Sequence, residues 1–415
     1  MVVGVAEQAL QHAQALEEEA LVLLVGDADA AEQLDRVLLH EPAAVRELPL
    51  RGRHLGAAQL GVARIDLDRG QEARAGESPL SALAGRAALV VTDWQPTFIF
   101  PRHLKGLRRR TGTPVVAVDS IGVVPIGAWD RTFITARAMR PRLEEALPHH
   151  LHRLPDLDLE IRDAVDVPFD PVVPTARTIP DLVASCDIDH SVPPAPDIRG
   201  GMRAAEARLE AFLEDGLARY PDERSDPLAG ASSRLSPYLH FGNIAIQEVL
   251  LRAREAGPEQ SYAKFQDEAL VWRELAHQYV ARTPHHRTLD AIPDWARKEL
   301  EEHMDDPRPA LYDQGTLESA GTDDELWNAC QRALVQDGEL HNWLRMLWGK
   351  AVLQWTATPD EALRIVEHLN HKYALDGRDA NSYGGILWCF GLFDRPFYRR
   401  PIYGTVRYMS TKAAW

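Results

Sequence analysis

TDDELWNACQRALVQDGELHNWLRMLWGKAVLQWTATPDEALRIVEHLNHKY (residues 322–373) reads as three successive helices. Thr322-Asp323-Asp324-Glu325 has the form of a capping box, in which a hydroxyl and a carboxylate satisfy free backbone N–H groups. Asp337-Gly338 ends that helix. A second is predicted from about Glu339 to Trp355, and Thr358-Pro359-Asp360-Glu361 opens a third with proline at its first position. Trp348 and Trp355 then lie two turns apart on one face of the middle helix, and Trp327 sits on the helix before it. Taken alone, indoles at helical spacing are core packing.

Helical periodicity extends outward from this block over most of residues 200–415, where strand patterns are scarce. Residues 151–199 are rich in Pro and Asp and read as an extended interdomain connection. Before them, β-rich runs at Ala20–Val25, Ala88–Thr92 and Pro114–Val118 alternate with helical stretches, which predicts an α/β domain built on a parallel sheet over residues 1–150. A chain of 415 residues exceeds the size at which one core stops growing, so two domains are expected.

With 45% hydrophobic and 26% charged residues the composition is that of a globular protein. No apolar run approaches the roughly 20 residues of a membrane helix, and no leader pattern opens the chain, so a cytoplasmic monomer is expected. Cys186, Cys330 and Cys389 are far apart and suggest neither a zinc site nor a disulfide framework. His368/His371 and His149/His150/His152 lack partners at metal spacing, so no metal is assigned. The basic run Arg102–Arg110 reads as a solvated helix face. A net charge of -16 counts against nucleic acid as a partner, yet Arg395, Arg399, Arg400, Arg407 and Lys412 have no acidic residue among them. A locally positive surface and a solvated basic tail both fit.

ASSRLSPYLHFG (231–242), DEALVWRELAHQY (267–279), LHNWLRMLW (340–348) and LDGRDANSYGGILW (375–388) together resemble the FAD-binding domain of the photolyase and cryptochrome family. LWNACQ (326–331), LNHKYALDGRD (369–379) and GTVRYMS (404–410) are similar to its class II cyclobutane pyrimidine dimer photolyases. The resemblance covers roughly residues 200–410, with weaker similarity in VVTDW (90–94) and in 123–142.

It implies FAD as cofactor, contacted by Tyr220, Ser232, Ser233, Arg234, Leu235, Ser236, Asn342, Arg345, Asp376 and Arg378. Arg345 and Asp376 would form a charge pair beside the isoalloxazine ring, and Asn370 would face flavin N5. Hydroxyls and a cation in SSRLS suit a diphosphate, though the same residues suit an N-capping loop. Trp348, Trp327 and Trp355 match, from flavin to surface, the class II electron route, and indoles suit it because their π systems are oxidisable. Trp272 and Trp388 match the aromatic walls around a flipped-out dimer, Glu268 the acid that hydrogen-bonds it, Met346 a residue packed on it, Arg224 a contact to the lesion backbone, and Arg407 the residue filling the gap in the duplex. The activity implied is light-driven repair of pyrimidine dimers in DNA; a cryptochrome-like blue-light sensor without repair activity is the alternative. A deazaflavin is the family's default antenna, and no residue is assigned to it.

The N-terminal part departs from the family. The chain begins inside the family's first helix, at about Glu7–Leu10, so the sheet is expected to lack its first strand. Residues 43–86 find no match, and Gly122 stands where the family has Asn.

Overall fold

A parallel strand pair with its crossover helix is the part of the N-terminal sheet that the alternating pattern anticipates. The computed structural model describes residues 21–25, 61–65, 79–153, 174–175 and 177–410. The expected helix at Glu7–Leu10, most of the 43–86 stretch and much of the expected connection lie outside them. Strands β1 (Leu21–Val25), β2 (Gly61–Ile65), β3 (Leu89–Asp93) and β4 (Val115–Val118) form one sheet in the order β2-β1-β3-β4, with α1 (Pro79–Ala84) before β3 and α2 (Phe100–Arg110) between β3 and β4. Joined through α2, β3 and β4 are parallel, pairing Val90 with Val115. β1 runs antiparallel to both its neighbours, a pairing that needs no crossover helix, so the sheet is mixed and the parallel expectation holds at β3–β4. The strand at Gly61–Ile65 has no counterpart in the sequence reading.

The rest is helical: α3 (Ala136–His150), α4 (Ile179–Ala184), α5 (Met202–Ala211), α6 (Leu217–Glu223), α7 (Ser236–His240), α8 (Ile246–Ala256), α9 (Glu259–Gln266), α10 (Arg273–Arg282), α11 (Asp294–Glu302), α12 (Gln314–Glu318), α13 (Glu325–Asp337), α14 (Asn342–Leu353), α15 (Pro359–Tyr373) and α16 (Ala380–Cys389). Two single π turns, Phe212–Gly216 and Asp267–Trp272, join α5 to α6 and α9 to α10. Each adds a residue to the helical turn, an insertion frequent at functional sites.

Local chemistry sets the boundaries of α13 to α15. Asp324 caps α13, accepting from Trp327 N at 3.0 Å, whereas Thr322, the expected cap, binds the Asn328 side chain at 2.7 Å. The charged side chain next to the helix takes the N-terminal donor and leaves the hydroxyl to close the preceding turn. Gly338, at φ 67, ends α13 in the left-handed region, and a Cβ there would lie 2.7 Å from Leu375 Cγ. Thr358 caps α15 as expected, accepting from Glu361 N at 3.2 Å. α14 stops at Leu353, so Trp355 lies in the turn beyond it and not on its face.

In α13, Trp327, Cys330, Gln331 and Leu334 bury one stripe at i, i+3, i+4 and i+7. In α14 every residue from Leu347 to Leu353 is buried, as befits a helix enclosed on all sides. Trp327 and Trp348 are fully buried; each removes roughly 150–250 Å2 from water, about 4–6 kcal/mol by area.

Side chains of α8 and α10 hold the backbone of residues 121–133. Glu274 Oε1 accepts from Val123 N (2.5 Å) and Val124 N (3.3 Å), and Gln278 both accepts from Phe133 N (2.9 Å) and donates to Phe133 O (2.7 Å). Gln247 donates to Gly122 O at 3.0 Å, and Arg282 to Ile126 O at 2.9 Å. A Cβ at Gly122 would lie 2.7 Å from Glu274 Oε1, so the carboxylate fills the space that a side chain at position 122 would need. Val123, Trp129, Phe133, Met139 and Leu143 join the apolar core of the helical part, whereas Leu83, Val90, Leu107 and Val115 form a separate small cluster.

Candidate active site

α14, α15 and α16 meet around an ion pair. Arg345 Nη1, from α14, lies 2.8 and 3.0 Å from the two carboxylate oxygens of Asp376, in the turn before α16. Arg345 Nε is buried and has no partner. One turn from the end of α15, Asn370 donates its amide hydrogens to Ser382 Oγ (3.2 Å) and His371 Nδ1 (3.3 Å), while Ser382 Oγ donates to Asp376 O (2.7 Å). His371 Nδ1 also accepts from Arg378 N at 3.0 Å, so the ring's hydrogen sits on Nε2. Burial pushes the His371 pKa down to about 3, which keeps the ring neutral. Arg378 itself is exposed, at φ 68, with its guanidinium 4.5 Å from the Phe98 ring centroid.

Behind this turn Asp379 caps α16, accepting from Asn381 N at 2.8 Å, and faces His240 Nδ1 at 3.2 Å and His277 Nε2 at 3.4 Å. Burial alone would raise the Asp379 pKa, but its hydrogen bonds to the two histidines hold it well below the usual carboxylate range.

The other expected cofactor residues differ in exposure and partners. Ser232 and Ser233 are half-buried, Leu235 is buried, and Ser236 and Asn342 are exposed. Arg234, at φ 53, binds Glu339 through Nε (2.8 Å) and Nη2. Tyr220 is buried edge-on against Phe212 and Phe265, and burial raises its hydroxyl pKa well above the ordinary range. FAD is acceptor-rich along its ring edge and anionic at its diphosphate. The unpaired Arg345 Nε–H beside Asp376 is a donor that fits the ring edge, and the Asn370 side-chain oxygen, its amide hydrogens already engaged, is left as an acceptor.

From this cluster the indoles form a contact series. Trp348 and Trp327 stack with centroids 6.1 Å apart and planes 8° from parallel, and Trp327 meets Trp355 edge-on at 5.5 Å. Trp355 meets Tyr312 edge-on at 5.6 Å, and Tyr312 hydrogen-bonds the exposed Asp323 at 2.9 Å. Trp327 Nε1 donates to Trp348 O (2.9 Å) and Trp348 Nε1 to Gln331 Oε1 (3.0 Å), while Gln331 Nε2 donates to Glu318 O (3.2 Å), which fixes the amide's orientation. Both indole hydrogens thus end on neutral amide oxygens, which accept a hydrogen bond without taking the proton.

The expected lesion residues fall at the end of α6, on the second π turn, on α14 and α16, and in the loop after α16. Glu268 and Trp272 lie in the π turn, and Glu268 faces Lys264 Nζ at 2.9 Å and Arg224 Nη1 at 3.1 Å. Trp272, Trp388 and Met346 are half-buried, and a Cβ at Gly385 would lie 3.4 Å from Met346 Cε. Arg407 pairs with Asp394 through two bonds of 2.7 and 3.0 Å, and its guanidinium lies 4.1 Å from the Phe397 centroid. Part of the basic C-terminal stretch is therefore neutralised, since Arg399 also pairs with Glu299 at 2.6 Å. A groove of about 500 Å3 beside the Arg140–Asp267 pair is lined by Lys264 but by none of the expected site residues.

No family model matches the chain. A deoxyribodipyrimidine photo-lyase of Methanothermobacter thermautotrophicus is 35% identical over 340 residues, covering 81% of this chain and 74% of that protein. The chain belongs to the deoxyribodipyrimidine photo-lyase family. The photo-lyase of Oryza sativa subsp. japonica is 34% identical over 386 residues (88% of this chain, 75% of that protein), and that of Potorous tridactylus 33% over 328 residues (77% and 60%). Among solved structures, a class III photolyase from Agrobacterium tumefaciens gives a TM-score of 0.56 at 18% identity over 76% of this chain and 64% of that one. A Synechocystis cryptochrome gives 0.57 at 15% over 79% and 67%. At these identities the structures establish the shared photolyase and cryptochrome fold.

Sequence reasoning missed Gln331, Tyr312 and Lys350. The first two carry no local signal, because their partners are 17 and 43 residues away. Lys350 does carry one, as the single charge within the apolar run of α14.

Proposed function

We propose that this photo-lyase family member is of the class II kind and repairs cyclobutane pyrimidine dimers in DNA with light, using FAD held at the Arg345–Asp376 cluster. The helical part, residues 200–415, is read as the catalytic domain and residues 1–150 as an antenna-type domain joined by residues 151–199. Reduced FAD, once bound, supplies a light-absorbing one-electron donor. The observation that carries the reading is the unbroken indole series from the Arg345 helix to Tyr312.

Arg345 and Asp376 would orient the ring, with the spare Nε–H available to a ring acceptor. Asn370, its amide hydrogens taken by His371 and Ser382, would present its carbonyl oxygen to a hydrogen on N5. Trp348, Trp327 and Trp355 would pass an electron inward, and because their N–H groups face amide oxygens, the first two would keep their protons while oxidised. A flipped dimer would lie between Trp272 and Trp388 against Met346, with Glu268 turned toward it and Arg224 released to the lesion backbone.

The test is incubation of the FAD-loaded, reduced protein with an oligonucleotide carrying one thymine dimer, in light and in darkness. Dimer loss in light alone is expected, and Trp348→Phe should slow the preceding photoreduction of the flavin at least 10-fold. Binding of FAD with no light-dependent dimer loss would leave a sensor rather than a repair enzyme.

A further inference from the structure

We propose that Lys350 confines electron loss to the Trp348–Trp327–Trp355 series by holding a positive charge on Trp388, the indole of the neighbouring helix. This rests on the indole relay proposed above.

Lys350 is wholly buried in α14. Its ammonium group lies 3.0 Å from Cys389 O and 3.4 Å from Trp388 O, and 4.4 Å from the centroid of the Trp388 ring. Two carbonyls and one π face match its three N–H donors. Arg407 adds a second cation 5.4 Å from the same ring. Asp394 is engaged by Arg407 through two hydrogen bonds. Burial pushes the Lys350 pKa down to about 8, which leaves the group charged at neutral pH.

The indoles of the series have a different environment. Among the described residues no cation stacks on Trp348, Trp327 or Trp355, and the two N–H groups with protein partners face neutral oxygens. Yet the helix that carries Trp388 packs directly on α14. Gly349, between Trp348 and Lys350, packs so tightly on α16 that a Cβ would lie 2.8 Å from Cys389 Sγ. The helix that carries Trp348 thus has an indole on each of two packed neighbours, Trp327 on α13 and Trp388 on α16.

Charge decides between them. An oxidised indole is a cation, and a second cation 4.4 Å away opposes it. At the effective dielectric constant of about 20 that suits protein sites, the opposition lowers the occupancy of an oxidised Trp388 on the order of 10²–10³-fold. The electrons balance along the series: Trp348 loses one toward the flavin, Trp327 returns one to Trp348, Trp355 returns one to Trp327, and a soluble thiol reduces Trp355. Trp388 stays reduced and intact as a stacking wall.

The experiment starts from Trp327→Phe, which removes the preferred direction, and follows indole radicals by electron paramagnetic resonance in the illuminated, FAD-loaded protein without thiol. K350M removes the charge, and K350Q removes it while keeping a donor for the two carbonyls, so that packing and charge separate. A radical at least 10-fold stronger is expected in W327F/K350M and in W327F/K350Q than in W327F, and it should vanish when Trp388→Phe is added. Flavin absorbance reports whether each variant has folded around its cofactor. If both neutral variants, flavin-loaded, show no more radical than W327F, or if the new radical survives Trp388→Phe, Lys350 does not direct the electron. If the protein with all its indoles forms no light-induced indole radical, the relay itself fails and this assignment goes with it.

Discussion

Glu274→Gln should make the protein more stable at pH 8 and leave it nearly unchanged at pH 5. Glu274 is 1% exposed, and burial pushes its pKa from 4.5 up to about 7, despite the hydrogen bonds from Val123 and Val124 that favour the charge. The unfolded chain releases this proton near 4.5 and the folded chain near 7, so between those values the folded state binds more protons. Its stability therefore falls as pH rises through the window, and the penalty is complete above pH 7. The difference between about 7 and 4.5, at about 1.4 kcal/mol per pKa unit, corresponds to about 3 kcal/mol.

Glutamine keeps an oxygen for the Val123 and Val124 amides and puts an uncharged NH2 where Oε2 now lies buried without a partner. The assay is thermal melting by circular dichroism from pH 5 to 8, plotted as the difference between wild type and E274Q. That subtraction removes most of the contribution of Asp93, whose pKa burial raises to about 6. The wild type should lose roughly 5–10 °C relative to E274Q across the range, taking a few degrees per kcal/mol. Glu274→Ala should melt lower than both at every pH, because two buried amide donors lose their acceptor at about 1–3 kcal/mol each. Parallel wild-type and E274Q curves, or a wild type that gains on E274Q as pH rises, would refute the argument.

Arg345→Ala strands the Asp376 carboxylate and removes the free Nε donor, so FAD should be lost on gel filtration, read as the ratio of flavin to protein absorbance; full retention would show that the flavin lies elsewhere. Gln331→Leu leaves the buried Trp348 N–H without an acceptor, at about 1–3 kcal/mol, and a transient spectrum of the oxidised indole should show it shorter-lived; an unchanged lifetime and melting point would remove Gln331 from the relay. Gly338→Ala places a methyl 2.7 Å from Leu375 Cγ at a left-handed position and should cost about 1–2 kcal/mol or more in thermal melts; a neutral result would mean that the α13–α14 turn can re-form.

The helical part was legible because its signals are local. Gly338 and Thr358 act within one turn of chain, and α13 buries the stripe its spacing announces. Contacts spanning more chain were accessible only through resemblance. The Arg345–Asp376 pair crosses 31 residues and the Trp327–Trp348 stack 21, and no periodicity couples such positions. Thr322 and Asp324 compete for one cap, and motif spacing does not rank them; the carboxylate adjoining the helix won. The direction of β1 was illegible because a strand's composition does not encode whether its neighbour runs with it or against it. Gly122 reads as a departure until Glu274, 152 residues later, is seen to occupy the space beside it.

The wide turn at Asp267–Trp272 has a consequence for how the pocket could be re-indexed. A π turn holds one residue more than the α turn it replaces, so deleting a single residue between α9 and α10 would restore a regular helix without costing either flank its hydrogen bonds. Because the wide turn absorbs the extra residue locally, the flanking helices would keep their relative rotation about the common axis, and only the spacing within the turn would change. Glu268 and Trp272 would then stand three residues apart instead of four, still on one face, with the acid shifted relative to the indole and to its partners Arg224 and Lys264. One codon thus sets the spacing of acid and indole along this helix while leaving the helices on either side where they are.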